Sequence, residues 1–284
     1  MKRRQFITLV GGAAAGWPLA VRAQQLSNKI PVVGVLWHAG SAEEEDVYLS
    51  VLVNAFNDLG YVEGKNIHLD HRFPAENPDR FRTLARELVD EKPDVIIAVT
   101  GFGAAEAKRA TSTIPIVVTV AYDAVGMGLV ESLGRPGGNV TGLSLMAVDL
   151  SGKRLELLKE AVPSLSRVAL LVDFSTPNKE QTIKLHQTAA QALGISLWPV
   201  EISAPDNVEP AFAKIAQDGA DGIVRGPGSA LFNGRARVGA SALVTHGLLM
   251  SYGQDFPDFF RRAVVYTDKI LKGASSSRRN SSWF

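Results

Sequence analysis

Short apolar runs rich in β-branched residues recur along this chain, and helical patterns separate them. The clearest runs are PVVGVLW at Pro31–Trp37, DVIIAVT at Asp94–Thr100 and IPIVVTV at Ile114–Val120. Their composition is typical of strands that are buried on both faces, as in parallel sheets. With a further alternating strand at Ile67–Phe73, they give the order β-α-β-α-β-α-β, which predicts a doubly wound parallel α/β sheet.

Helix start signals follow each of these strands. A capping box, an Asn-Pro start and two polar or glycine-rich loops mark the first turns. Starts are predicted at Ser41 (with Glu44), at Asn77-Pro78, at Gly103 and at Tyr122-Asp123.

The pattern pauses at GRPGGNVTGLS, Gly134–Ser144, and then begins again. Two α/β halves joined by a Gly/Pro-rich crossing predict two lobes with a cleft between them. The second half is predicted as helix Ser151–Ala161, strand Arg167–Val172, a helix from Thr176-Pro177 to Leu193, strand Ser196–Ile202, a helix from an Asp206 cap to Gln217, and strand Asp221–Arg225.

The first 23 residues have the pattern of an export signal. Arg3 and Arg4 precede an apolar, Gly/Ala-rich stretch, and small residues lead up to Ala23. We interpret this as a twin-arginine signal peptide that is cleaved after Ala23, which predicts a periplasmic protein. A membrane anchor is the weaker interpretation, because a span needs about 20 apolar residues and this run is shorter and contains Gly and Pro.

The composition narrows the classes of partner and chemistry. Cysteine is absent, which excludes disulfides, thiolate metal sites, a Cys nucleophile and a lipid-modified Cys, so no lipid anchor is expected. Removing residues 1–23 takes away four positive residues and no acid, so the net charge falls from +1 to −3. That charge does not favour a nucleic-acid partner.

The sequence shows no assembled catalytic group. The five histidines lack metal-binding spacing, and the acidic run at 43–46 is interpreted as a helix start that the helix dipole stabilises. Gly101-Phe102-Gly103 resembles a dinucleotide fingerprint with Asp123 at the ribose position, but Glu106 occupies the place of the third glycine. We expect no enzyme activity, no cofactor and no metal; an exported α/β enzyme or dinucleotide binder is the alternative.

The loops after the strands are the predicted ligand-binding region, because ligands of parallel α/β sheets lie beyond the carboxyl ends of the strands. Helix N-termini there favour a carboxylate, Asp123 would hold an ammonium group, and aromatic residues would wall an apolar part. For any single Ser, Thr or Gly, a helix-capping role is the alternative. The predicted ligand-binding residues are Trp37, Gly40, Ser41, Thr100, Gly101, Tyr122, Asp123, Ser175, Thr176, Asn178 and Tyr252.

Several segments together resemble a known family. They are the signal RRQFITLVGGAAAGWPLAVRAQQ, GYVEGKNIHLDHRF, IPIVVTVAYDAVGMGLVESLGRPGGNVTGLS, GKRLELLKEAVP and GLLMSYG. Over residues 1–272 the chain resembles ABC-transporter substrate-binding proteins, in particular the tryptophan/tyrosine-type periplasmic group with a type I two-lobed fold. The resemblance implies capture of a small solute between lobes, hinge closure and delivery to an ABC permease. The protein is expected to be monomeric.

The resemblance also suggests how the chain is divided. Lobe 1 is expected at 24–142 plus 253–273, lobe 2 at 143–252, and an aberrant tail at 274–284. Within 231–252, SALVTHG runs directly into LLMSYG, which predicts that a strand and a cleft loop of the family pattern are missing from lobe 2. Relatives continue beyond ILKG with a segment resembling VEQSTKFELV, and suitable codons for it, read one base late, give Ser275–Phe284. An internal deletion and a frameshift are therefore hypotheses, and a non-functional gene remnant is a further alternative.

Overall fold

The computed structural model describes residues 29–145, 151–174, 179–203, 207–226, 228, 231 and 255–276. Strands and helices alternate through most of this part of the chain. In order they are β1 Val32–Leu36, α1 Asp46–Asp58, β2 His68–Arg72, α2 Pro78–Asp90, β3 Val95–Thr100, α3 Gly101–Ala110, β4 Ile116–Ala121, β5 Val140–Ser144, α4 Ser151–Ala161, β6 Arg167–Val172, α5 Lys179–Ala192, β7 Ser196–Glu201, α6 Val208–Gln217, β8 Gly222–Arg225 and α7 Phe256–Leu271.

The strands form two parallel sheets. The first has the order β2-β1-β3-β4-β5 and the second the order β7-β6-β8. In the first sheet Val33 of β1 pairs with Leu69 of β2 on one side and with Val95 of β3 on the other, and all of these pairings are parallel. The predicted α/β class with doubly wound parallel sheets is confirmed.

Both faces of the first sheet are covered, as the β-branched runs predict. Side chains alternate along a strand, so Val95 and Ile97 of β3 join one core cluster while Ile96 and Ala98 join another. Each large apolar side chain buried in this way stabilises the fold by about 1.5–3 kcal/mol. We call this sheet with the helices packed on it the first lobe.

Helix α7 belongs to the first lobe although it lies near the end of the chain. Phe260, Ala263 and Val264 of α7 pack into the same cluster as Val33 and Val35 of β1. The hydroxyl group of Tyr61 also donates a hydrogen bond to Asp268 Oδ1 at 3.0 Å. The chain therefore leaves the first lobe after β5 and returns to it at α7.

The Gly/Pro-rich crossing ends in a strand that the sequence did not predict. Val140–Ser144 forms β5, which pairs with β4 and is buried along its whole length. Gly142 has φ +136°, and a Cβ there would lie 2.1 Å from the carbonyl oxygen of Val118. A glycine allows the two backbones to approach this closely. The first sheet thus extends to Ser144, two residues beyond 142, where this part of lobe 1 was expected to end.

The predicted helix starts have mixed outcomes. Asn77 is confirmed as a cap, because its side chain accepts hydrogen bonds from the backbone N–H groups of Asp79 and Arg80. The predicted start at Ser41 is wrong: α1 begins at Asp46, after turns, and Glu45 holds the N-cap position without a side-chain capping bond.

The predicted helix at Tyr122-Asp123 is also wrong. Residues 124–128 form turns instead. The Asp123 carboxylate accepts the backbone N–H of Gly126 at 2.8 Å, which is a local turn contact of the kind Asp favours.

The second sheet and its helices form what we call the second lobe. Ala169 and Leu171 of β6 pack with α6, while Leu170 of the same strand packs with Leu155 of α4 and Ala190 of α5. The sheet is thus covered on both faces near β6, which is its central strand.

Some predictions lie outside the described residues. They are the signal peptide with Arg3, Arg4 and Ala23, the ligand-binding residues Ser175, Thr176, Asn178 and Tyr252, the Asp206 cap, the strand missing near 245, and residues 277–284 of the segment Ser275–Phe284 for which a frameshift was predicted. In the part of the chain that the structure describes, no helix has the length and apolarity needed to cross a membrane. The same part contains no cluster of three or more potential metal ligands of the His, Cys, Asp and Glu types.

Candidate ligand-binding site

A cavity opens at the carboxyl end of the first sheet. The empty space within it is about 390 Å³, a figure that includes space open to solvent. Strands β3 and β4, the loops after β1 and β4, and helices α1 and α7 supply the lining residues, which are His38, Tyr48, Val99, Thr100, Val120, Tyr122, Phe256 and Phe260.

Trp37 and His38, the two residues that follow β1, have different surroundings. Trp37 is fully buried in the first-lobe core. Its indole Nε1 donates to His71 Nδ1 at 2.9 Å, and its ring stacks on Phe73 and Phe260 with centroids 6.0 and 5.8 Å apart. Trp37 therefore supports Phe260, which lines the cavity, while the next residue, His38, lines the cavity itself.

His38 lies between two carboxylates. Its Nε2 is 3.0 Å from Oε1 of Glu45, and its Nδ1 is 2.9 Å from Oε1 of Glu76. Burial by itself lowers the pKa of His38, but contact with the two carboxylates outweighs burial and raises the pKa from 6.5 to about 9. The imidazole is therefore protonated at neutral pH.

Glu76 reaches His38 because the loop after β2 is held against the loop after β1. The backbone N–H of Glu76 donates to the His38 carbonyl at 2.7 Å, and that of Ala75 donates to the Ala39 carbonyl at 2.9 Å. Both Ala75 and Glu76 have φ of +55°, a left-handed conformation that costs of order 1–3 kcal/mol for a residue with a side chain. The surrounding contacts thus hold Glu76 in a conformation that it would not adopt alone.

Tyr122 connects the cavity to the second lobe. Burial raises the pKa of its hydroxyl group, and this effect outweighs the positive charge of Arg225 and a hydrogen bond with the backbone of Gly228, which both lower it. Asp173, which follows β6, is fully buried, and a Cβ at Gly228 would lie 2.1 Å from the Asp173 Cβ. The carboxyl ends of both sheets therefore meet at Tyr122.

Comparison with known proteins shows to which family this chain belongs. The family model for the ABC transporter substrate binding protein matches residues 30–227, more than two thirds of the 284-residue chain. The chain belongs to the ABC transporter substrate-binding protein family. The resemblance found in the sequence is thereby confirmed.

Individual relatives agree with this family. The chain is 36% identical over 139 residues to a protein of Clostridioides difficile (strain R20291) named "Tyrosine-binding protein"; the match spans 48% of this chain and 39% of that protein, so less than half of the relative's length is matched.

Solved structures show the same fold. The ABC domain from Streptococcus pneumonia in complex with L-Trp has a TM-score of 0.74 at 19% identity, covering 88% of this chain and 87% of the other. A conserved domain protein from Vibrio cholerae has a TM-score of 0.73 at 27% identity, covering 88% of each chain.

In this substrate-binding protein, two of the predicted ligand-binding residues line the cavity, Thr100 and Tyr122. The Thr100 hydroxyl also accepts the backbone N–H of Gly103 at 3.2 Å and so caps α3. Thr100 therefore has both roles: it caps a helix, which was the alternative considered for single Ser, Thr and Gly residues, and it lines the cavity.

The other described candidates have local structural contacts and are not among the residues that line this cavity. The Gly40 backbone N–H donates to Glu44 at 2.8 Å, and Ser41 hydrogen-bonds Glu43. Gly101, the first residue of α3, is packed against Met127. Trp37 is in the core, and Asp123 binds its own turn.

Sequence reasoning missed most of the cavity wall of the substrate-binding protein. Phe256 and Phe260 are four residues apart and therefore share one face of α7, a signal that was present in the sequence. Tyr48 likewise lies four residues before the buried Leu52 and therefore shares a face of α1 with it. The contact of Glu45 and Glu76 with His38 joins three separate segments and left no pattern in the sequence.

Proposed function

We propose that this protein captures a small amino-acid-like or carboxylate ligand with an apolar part and delivers it to an ABC permease without chemical change. The observation that carries the proposal is the cavity at the carboxyl end of the first sheet, whose wall combines the aromatic side chains of Tyr48, Tyr122, Phe256 and Phe260 with the polar side chains of His38 and Thr100. A relative named for tyrosine binding and a structural neighbour in complex with L-Trp support this ligand class.

The proposal includes where and how the protein works. The twin-arginine pattern supports export to the periplasm, and the family supports a permease partner at the inner membrane. A monomeric receptor stays a prediction. The ligand would lie between the two lobes. Lobe 1 would comprise 24–142 and 253–273, extended to Ser144 so that it includes β5. Of the predicted contacts we place Thr100 and Tyr122 in this site; the loop with Ser175, Thr176 and Asn178, and Tyr252, stay predictions.

Ligand binding is tested by thermal shift and calorimetry with L-tyrosine, L-tryptophan and NAD. A ligand that binds only the folded protein adds about 2.7 kcal/mol of stability at a hundredfold excess over Kd. We expect stabilisation by an aromatic amino acid. Tyr48→Ala should weaken binding about tenfold or more, because truncating an aromatic contact in a binding site commonly costs this much.

Tyr61→Ala is the matched control. Tyr61 is a partly buried tyrosine of the same lobe that contacts Asp268 and is not in the cavity lining. Binding of NAD, or turnover of a bound ligand, would favour the alternative of an exported enzyme. No stabilisation by either amino acid would contradict the proposed ligand class.

Export is tested by replacing Arg3 and Arg4 with Lys. The twin-arginine pathway reads that pair, so precursor should accumulate in the cytoplasm, as cell fractionation would show. Substituting Lys2 with Arg in the intact signal is the control and should leave export unchanged. Undiminished periplasmic protein in the double Lys variant would contradict this part of the proposal.

A further inference from the structure

We propose that side chains along the outer edge of β2 close this edge to strand pairing, and so prevent a second copy of the chain from joining the first sheet there. The edge belongs to His68–Arg72, at one end of the strand order of the first sheet. The inference goes beyond the proposed function and does not depend on the ligand, because it concerns contact between receptor molecules.

The backbone of β2 faces β1 on one side only. The N–H of His68 donates to the Pro31 carbonyl at 2.9 Å, so His68 turns its backbone groups towards β1. Successive residues of a strand turn these groups to opposite sides, and Leu69, His71 and Phe73 therefore face outward. A row of outward backbone groups at an edge is a template for a strand of another molecule.

Glu63 covers the first half of this edge. Its Oε2 accepts the outward N–H of Leu69 at 2.8 Å, and its Oε1 is 2.9 Å from Nδ1 of His68. The backbone N–H of Gly64 also donates to the Ile67 carbonyl at 3.0 Å. The loop before β2 thus occupies the places that a neighbouring strand would take.

Two arginines cover the second half. Nη2 of Arg80, in the first turn of α2, donates to the Phe73 carbonyl at 2.9 Å. Nη1 of Arg72 lies 3.5 Å from the His71 carbonyl and also pairs with Asp70. Hydrogen bonds that involve a charged group are stronger than neutral ones, and charged side chains are a known protection of sheet edges.

A second copy of β2 is the partner that this edge would fit. Two such strands running antiparallel about His71 would bring the Leu69 N–H of each copy to the Phe73 carbonyl of the other. Asp70 of each copy would then stand opposite Arg72 of the other, and opposite charges across a strand pair stabilise it. The uncovered edge would therefore be complementary to itself.

Glu63 and Arg80 block this pairing at its two ends. Glu63 holds the Leu69 N–H and Arg80 holds the Phe73 carbonyl, which are the donor and the acceptor that the two copies would have to exchange. A second molecule can form these hydrogen bonds only after both side chains have given up theirs. The two contacts therefore favour the separate receptor.

The test removes both covers from the full chain in the variant Glu63→Ala/Arg80→Ala. Both side chains lie at the surface, that of Glu63 being 45% exposed, so the fold should be kept. Light scattering after size-exclusion chromatography should show a mass that rises with concentration towards twice that of the monomeric wild type. Hydrogen exchange of segment 67–73 should slow as the variant associates, because pairing protects the outward amides of Leu69 and His71.

Arg86→Ala/Glu87→Ala is the matched control. It removes one arginine and one glutamate from exposed positions of α2, and neither side chain forms a hydrogen bond or ion pair with β2 in the part of the chain that the structure describes. This variant should stay as monomeric as the wild type. If the double variant at the edge does not fold, Glu63→Ala and Arg80→Ala carry the test singly, each with weaker association expected.

The proposal makes three demands on the result. A variant without Glu63 and Arg80 that stays monomeric at every concentration at which the wild type does would overturn it. Association that leaves the exchange of segment 67–73 unchanged would also overturn it, because the contact would then lie elsewhere. A wild type that is itself dimeric through this segment would show that the edge is open. None of these results bears on ligand binding, which is measured separately.

Discussion

The two lobes follow the same α/β pattern, but their strands are buried to different extents. Strand β4 of the first lobe is buried at all six of its residues, whereas in the second lobe β7 is buried only at Val200 and β8 only at Val224. The first lobe gains α7 from the end of the chain, and that helix covers a face that its own consecutive elements leave open. Burial is therefore set by the number of elements that cover a sheet as well as by how apolar its strands are.

The largest expected contrast is between two tryptophans, one in each lobe. Trp37 is fully buried in the first lobe, while Trp198 of β7 is only partly buried and packs under Arg167. Trp37→Ala should lower the free energy of unfolding by about 3–5 kcal/mol, the usual cost of removing a buried aromatic side chain. Trp198→Ala should cost about 1–2 kcal/mol. Urea unfolding measures both, and equal losses would contradict the difference between the lobes.

The next contrast is in pH dependence, where the two lobes should respond in opposite directions. The pKa of His38 is raised from 6.5 to about 9, so its stabilising contribution is complete below pH 6.5 and is lost as the pH rises through about 9. The full contribution is roughly 3 kcal/mol. Burial lowers the pKa of His186 in the second lobe, so its stabilising contribution is present above pH 6.5 and is lost as the pH falls below it.

Two variants assign these effects. His38→Gln should abolish the loss of stability between about pH 6.5 and 9, and His186→Gln should abolish the loss on acidification. Urea unfolding across the pH range provides the measurement. A His38→Gln protein whose alkaline profile matched that of the wild type would show that the imidazolium is not the source.

The smallest contrast compares two glycines with positive φ. A Cβ at Gly142 would clash with the Val118 backbone, whereas Gly194, at φ +65° in the second lobe, has nothing within 4 Å of that position. Gly142→Ala should cost about 2 kcal/mol or more, from strain and displacement of β5. Gly194→Ala should cost about 1 kcal/mol, the backbone penalty alone. The same urea measurement decides, and a harmless Gly142→Ala would mean that β5 can move away from β4.

Much of the fold could be predicted because the signals are local. The run at Asp94–Thr100 contains β3, and Asn77 with Pro78 marks the start of α2 within one residue. A buried parallel strand needs consecutive β-branched residues, and a helix cap needs a specific side chain beside it, so both can be read from neighbouring positions.

The rest depends on contacts between distant segments. Strand β5 exists because Val140–Ser144 pairs with β4, and its glycine and polar residues gave no strand signal. The run at 43–46 was interpreted as the start of a helix, yet Glu45 faces His38 and stands next to Glu76 from another loop. Helix α7 closes a core that begins more than 200 residues earlier, and periodicity within α7 does not say which lobe it covers.

The return of α7 to the first lobe has a consequence for the order of folding. During synthesis, strands β6, β7 and β8 of the second lobe can pair as soon as they emerge, because they follow one another in the sequence. The first lobe lacks Phe260, Ala263 and Val264 until residues beyond 256 leave the ribosome. Contacts between such distant residues slow folding. The lobe that is made first is therefore completed last, and a nascent chain stalled before α7 would present an open apolar face on β1 to chaperones.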